Sequence, residues 1–318
     1  MEKLNRILVV VDPTADTHPC IEKAARLALA FAAGIELVIC DFYPAIEPSY
    51  LDQLESPAEL SERVRESRMQ KLQALAGALR GQGIKVTVDV RLERPLHRGI
   101  VNKIRGARPD LVVKDTHYHP VIRRTLITNT DWHLIREPPA PLLLVKPTPW
   151  RREGLRLLAA VDPGHLDDKP AALDHEILET MEYLQTRLHG STLAIHVFDI
   201  SYQVSVGLGI GEGSVGGPVA AQLLEDLRSA KKRALDELAS RHHLTTGQVR
   251  LVDGSPVDVL PEFAAAEGID IELMGAIARG PAFNFFVGST AERVLDRLPC
   301  DILIVKPRAL MQHLQAAG

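Results

Sequence analysis

The second half of this chain repeats the first, and that limits its possible folds more than any other feature. The apolar run Ile7 to Val11 ends at Asp12-Pro13, and Leu155 to Val161 ends in the same way at Asp162-Pro163, an offset of 150 residues. Further along, Asp110 and Asp270, Lys146 and Lys306, and Pro147 and Pro307 are each offset by 160 residues. Leu142-Leu143-Leu144-Val145 falls on Ile302-Leu303-Ile304-Val305 without a gap. About ten residues therefore entered the second half before its fourth strand, and the glycine-rich segment Gly207 to Gly217 lies in that interval.

Within each half, short β-branched runs alternate with segments of helical spacing. In the first, strands are expected at Ile7–Val11, Ile35–Cys40, Lys85–Val90, Asp110–Val113 and Pro141–Val145. Helices are expected over Pro19–Ala33, Pro57 to about Gly81, Leu96 to about Arg105, and Asp131–Arg136. The second half repeats the order with strands Leu155–Val161, Thr192–Phe198, Gln248–Val252, Ile269–Leu273 and Asp301–Val305. Its helices are expected over Ala171–Leu188, Pro218–Arg241, Val257–Glu267 and Ala291–Leu298. Such alternation specifies an α/β fold with a parallel sheet covered by helices on both faces. The expectation is two tandem doubly wound, five-stranded, Rossmann-like domains, residues 1–148 and 154–310, joined by the proline-bearing linker Lys146 to Glu153.

Bulk properties exclude several function classes. A net charge of -4, with aromatic residues at 4%, provides neither a basic surface nor stacking platforms for nucleic acid. The three cysteines are far apart and form no CxxC, so no disulfide framework or zinc cluster of cysteines is expected. Met1 to Arg6 leads straight into a strand pattern, and no apolar run approaches membrane-spanning length. A reducing cytoplasm is the expected compartment.

The chemistry concentrates after the fourth strand of the second half. Met274-Gly275 ends a strand-like run, and Gly288-Ser289-Thr290 opens a helix-like one. A glycine lets the backbone approach a ligand, and a helix N-terminus offers unsatisfied N–H groups to phosphate. The spacing is Gly275, two residues, Ala278, nine residues, then Gly288-Ser289. It resembles the ATP-binding motif of the universal stress protein family, in which the position of Ala278 is a glycine. Ala291-Glu292-Arg293-Val294, the ending Pro299 to Pro307 and, in the first half, Thr128 to Leu134 are also similar to that family. Both halves resemble one such domain each, together covering almost the whole chain, as in the tandem members often called the E type.

The resemblance implies an internal pseudo-dimer through the last strands of the two halves, with further dimerisation open. It also implies a pocket for ATP, or for ADP or AMP, in the second repeat. There Asp162 would accept hydrogen bonds from the adenosine and Val197 would line the adenine pocket. Met274 and Gly275 would border the ribose and α-phosphate, and Gly288, Ser289 and Thr290 would hold the outer phosphates. Ala278 is a departure, because a site that needs positive φ penalises alanine. In the first repeat Gly275, Gly288 and Ser289 become Asp115, Thr128 and Asn129, so that nucleotide site is expected to be degenerate.

Three other features compete for a role. Asp115, His117 and His119 form a candidate zinc set, against the plainer reading of solvated histidines on a polar loop. Gly211 to Gly216 matches GxGxxG, but it neither follows a strand tightly nor precedes an acid that ends a second strand, so an insertion or lid is expected. Phe283, Phe285 and Phe286 serve either loop packing or an apolar ligand. No general base or metal-holding acid pair is evident, so any ATP hydrolysis is expected to be slow. The sequence thus supports a nucleotide-binding stress-response binder or sensor. The alternatives are a carrier of an apolar or metal ligand, and a slow ATPase.

Overall fold

A computed structural model describes residues 3–41, 57–119, 124–137, 140–163, 172–199, 218–279, 284–286, 289–308 and 311. The chain divides into two compact units, built on Lys3–Pro149 and on Trp150–Arg308. In the first unit the order is β1 (Arg6–Val10), α1 (Pro19–Phe31), β2 (Gly34–Asp41), α2 (Pro57–Gly81), β3 (Val86–Leu92), α3 (Leu96–Ala107) and β4 (Leu111–Asp115). Then come β5 (His117–His119), β6 (Arg124–Leu126), α4 (Asn129–Arg136) and β7 (Leu142–Val145).

The second unit runs β8 (Arg156–Ala160), α5 (Leu173–Leu188), β9 (Ser191–Phe198), α6 (Pro218–Arg241), β10 (Val249–Asp253), α7 (Pro256–Glu267) and β11 (Ile271–Gly275). It ends with β12 (Ile277–Arg279), β13 (Asn284–Phe286), α8 (Ser289–Arg297) and β14 (Asp301–Val305). Both units carry a five-stranded parallel sheet, in the orders β7-β4-β1-β2-β3 and β10-β9-β8-β11-β14.

The burial pattern follows from that topology. Strands of a parallel sheet are covered on both faces and read as continuous apolar runs. All four residues of β7 and all five of β14 are buried, as are Ile7 to Val10 of β1. The outer strands β3 and β10 are wetter, with several half-buried or exposed positions. Helix α1 turns a stripe of Ile21, Ala24, Ala25, Leu27 and Ala28 onto the core. Pro19 starts it with a preset φ, and Ala32 ends it in the left-handed region.

Two hairpins escaped the sequence pattern. Strands β4 and β11 continue to Asp115 and Gly275, and in both units the following segment folds back as a small antiparallel hairpin, β5–β6 and β12–β13. Three-residue strands are too short for period-2 patterning to reveal. Ala278 lies in β12 opposite Phe285. The non-glycine residues with positive φ among those described are Ala32, Arg108, His189 and His243. The expected backbone penalty at Ala278 therefore does not arise. The glycine-rich segment 207–217, Phe283 and Gly288 lie outside the described residues. Cys20, Cys40 and Cys300 are all buried free thiols, and burial pushes Cys40 up to about 12. Among the described residues no helix is long and apolar enough to cross a membrane.

Candidate functional site

In each sheet the chain runs outward from its first strand in one direction, then returns to build in the other. The reversal falls between β1 and β4 in the first unit and between β8 and β11 in the second. Crevices at the carboxyl ends of strands flanking such a reversal are where doubly wound sheets take ligands. Asp12 and Asp115 flank the first reversal, and Asp162 and Gly275 the second.

Asp162 lies two residues past the end of β8, and 43% of its side chain is exposed. Its N–H donates to Asp174 Oδ1 at 3.1 Å. Its Oδ1 stands 3.6 Å from His196 Nδ1, and His196 donates from Nδ1 to the Val161 carbonyl at 3.0 Å. That bond sets the tautomer and leaves His196 Nε2 as a buried acceptor with no partner among the described residues. Val197 is half-buried on the opposite face of β9, paired with Val252. Met274 is buried and pairs with Ile304, and Gly275 with Val305. Four of the expected site residues thus share one edge of the second sheet. Ser289 and Thr290 form the start of α8.

Gly275 has a reason of its own that spacing did not reveal. A Cβ there would stand 2.7 Å from Leu173 Cδ2 and 3.1 Å from Ile177 Cδ1, so the glycine admits the first turns of α5. The matching position in the first unit also meets the start of a helix, by different means. Asp115 Oδ1 accepts the Cys20 N–H of α1 at 2.8 Å, where His18, the N-cap, makes no side-chain cap bond. Burial pushes the Asp115 carboxyl up, against the opposing pull of its Cys20 hydrogen bonds. One oxygen of this proposed zinc ligand is thereby committed to a helix N-terminus. The side chains of His117 and His119 lie outside the described residues.

The first unit holds a cavity of about 260 Å³ at its reversal. Val10, Val11, Cys40, Leu96 and Ile100 give it apolar walls, and Asp12, Asp41, Asp115, Thr128 and Thr130 line the rest. Lys114 also lines it, but its ammonium pairs with Asp131 Oδ1 at 2.8 Å and donates to the Asp115 carbonyl. The carboxylates of Asp12 and Asp115 oppose a phosphate, Asp41 is held by Arg68 at 2.8 Å, and the charge of Lys114 is already committed to Asp131. The start of α4 is also occupied. Thr128 and Asp131 form a capping box, in which Thr128 N–H and Oγ1 each donate to Asp131 Oδ2 at 2.8 Å. The capping box was legible in sequence as Thr-x-x-Asp; the burial of its acid was not.

His196 carries a pH consequence. Burial comes first among its influences and lowers its pKa, while Asp162 and the Val161 carbonyl oppose it. The unfolded chain keeps an ordinary value near 6.5 and takes up its proton first as the pH falls. Stability from this group is therefore complete above that value and is lost below it. Chemical denaturation midpoints of the wild type are expected to fall between about pH 7 and pH 5.5. His196→Asn, which keeps a donor for Val161 but cannot titrate, is expected to reduce that fall. Equal slopes in the two proteins would contradict this account.

Comparison with known proteins agrees with this architecture. The model of the universal stress protein family matches residues 3–146 and 155–306. Universal stress protein E of Escherichia coli is 26% identical over 313 residues, covering 96% of this chain and 95% of its own. The protein of that name from Photorhabdus laumondii is 25% identical over 321 residues, covering 100% and 99%. Among solved structures, a protein of unknown function from Pseudomonas aeruginosa superposes with a TM-score of 0.73 at 21% identity, covering 99% and 97%. A universal stress protein from Archaeoglobus fulgidus gives 0.66 at 15%, covering 96% and 98%. With matches to both repeats, the chain belongs to the universal stress protein family as a tandem, two-domain member.

Proposed function

We propose that the second repeat binds an adenine nucleotide, that the first does not bind one in the same way, and that the protein acts in stress response as a binder or sensor. The observation that carries this reading is the contrast between the two helix starts. In the first unit the N-terminus of α4 is closed by Thr128 and Asp131. At the 160-residue offset these become Gly288 and Ala291, neither of which has a side-chain oxygen. That residue pair cannot form the same capping box, and a phosphate is a ligand that suits N–H groups at a helix start. Asp162 at the end of β8 supports an adenosine contact on the same sheet edge, and the extended backbone of Ala278 removes one objection.

The test is calorimetric titration of the full chain with ATP. Replacing Gly288 and Ser289 together by leucine is expected to weaken binding at least about a hundred-fold, since loss of each good charge-assisted hydrogen bond costs about 1.5–3 kcal/mol. Unchanged affinity would overturn the assignment. The apolar-carrier reading has its own observation, the aliphatic walls of the first-unit cavity. Mass spectrometry of small molecules released on denaturation separates the two: a nucleotide near one per chain supports the first reading, and a lipid-like molecule without nucleotide supports the second.

A further inference from the structure

The two helices that flank the first-unit cavity carry a side-chain cluster that nucleotide binding leaves unused. His97 lies in the first turn of α3, next to the cavity-lining Leu96. His133 and Glu137 sit one turn apart at the carboxyl end of α4. One nitrogen from each imidazole and one Glu137 oxygen all lie within 4.8 Å of one another. His133 Nδ1 and Glu137 Oε1 are 2.5 Å apart, and the His97 and His133 rings stack with centroids 3.6 Å apart and planes 3° from parallel. An ordinary bond between residues four apart on one helix explains His133 with Glu137. It does not explain a second imidazole brought over that pair from another helix.

Two imidazoles and a carboxylate are a borderline-soft donor set, which suits Zn²⁺ with a water in the fourth position. In the stacked arrangement the ring lone pairs lie in parallel planes, so one ring must turn before both can reach a single ion. All three side chains are only half-buried, which leaves room for that turn and a path for the ion. We propose that His97, His133 and Glu137 form a zinc site that ties α3 to α4. Leu96 and Ile100 come from α3, and Thr128 and Thr130 from the start of α4, so the metal would brace two walls of the first-unit cavity. The set is separate from Asp115, His117 and His119, and it does not depend on whether the second repeat binds ATP.

The experiment uses chelator-treated full-length protein titrated with Zn²⁺ against a chromophoric chelator, with Co²⁺ absorption as a report of coordination geometry. Losing a partner that only supports a metal ligand costs about 10–100-fold in affinity, so loss of a ligand is expected to cost at least about a hundred-fold. His97→Ala and Glu137→Gln should each show such a loss and abolish the tetrahedral Co²⁺ bands. The His117→Ala/His119→Ala double variant should keep this site. Both single variants change partly exposed side chains, and metal-free melting curves matching the wild type establish that they fold. Zinc should raise the melting temperature of the wild type and not that of His97→Ala. The proposal is overturned if the wild type binds no zinc, if both single variants bind as the wild type does, or if binding vanishes only in the double variant.

Discussion

Asp131→Ala is expected to destabilise the first unit by about 3–5 kcal/mol, the usual cost of stripping one partner from a buried ion pair. Asp131 is fully buried, and its Oδ1 is the counter-charge of Lys114, whose side chain is only 10% exposed. Without the carboxylate, an ammonium is left in the core beside the Asp115 carbonyl. The same change removes Oδ2, the one oxygen that accepts from both Thr128 donors, and loss of a helix cap typically costs about 1 kcal/mol. Asp131→Asn separates the two effects, because it retains an oxygen for Thr128 while leaving Lys114 unpaired.

The repeat itself supplies the rescue. At the 160-residue offset Lys114 and Asp131 become Met274 and Ala291, so the second unit has an apolar pair where the first has an ionic one. Lys114→Met combined with Asp131→Ala is therefore expected to recover much of the loss, since a well-packed apolar replacement of a buried ion pair is often neutral or stabilising. Denaturant unfolding followed by circular dichroism measures all three variants. A loss below about 1 kcal/mol in Asp131→Ala would show that this pair is not held in the core as described.

Gly275→Val is the second large effect, expected to cost about 3 kcal/mol through overpacking against α5. The added Cβ would meet Leu173 Cγ at 2.9 Å as well as Cδ2, and β11 is held between β8 and β14. Leu173→Ala alone is expected to cost about 2–5 kcal/mol by opening a cavity. The double variant should cost clearly less than the sum, because the valine fills the space the leucine vacates. Additive losses would remove helix packing as the reason for the glycine. Measuring ATP affinity on the folded double variant then asks the separate question of whether the glycine also serves a ligand.

The architecture was legible because its determinants are local and repeated. Continuous apolar runs such as Leu142–Val145 and Ile302–Val305 are what a strand buried on both faces requires, and their fixed offset identified the tandem repeat. The hairpins β5–β6 and β12–β13 were missed because three residues carry no readable period. The candidate site was only partly legible. The structure puts Asp162, Val197, Met274 and Gly275 at or just past strand ends, but spacing could not give Gly275 its role in admitting Leu173, nor Asp115 its role at the start of α1.

His97 went unnoticed altogether, since it precedes His133 by 36 residues and no short motif joins them. The sequence alone determined the fold class, the duplication, and the asymmetry between Gly288-Ser289 and Thr128-Asn129, because each depends on residue type and local order. Only the tertiary structure decided which carboxylates are used up by Lys114, Thr128 and Cys20, and which imidazoles converge at the ends of α3 and α4. The physical reason is that hydrogen bonding, packing and ion pairing act over a few ångströms of space between residues far apart along the chain.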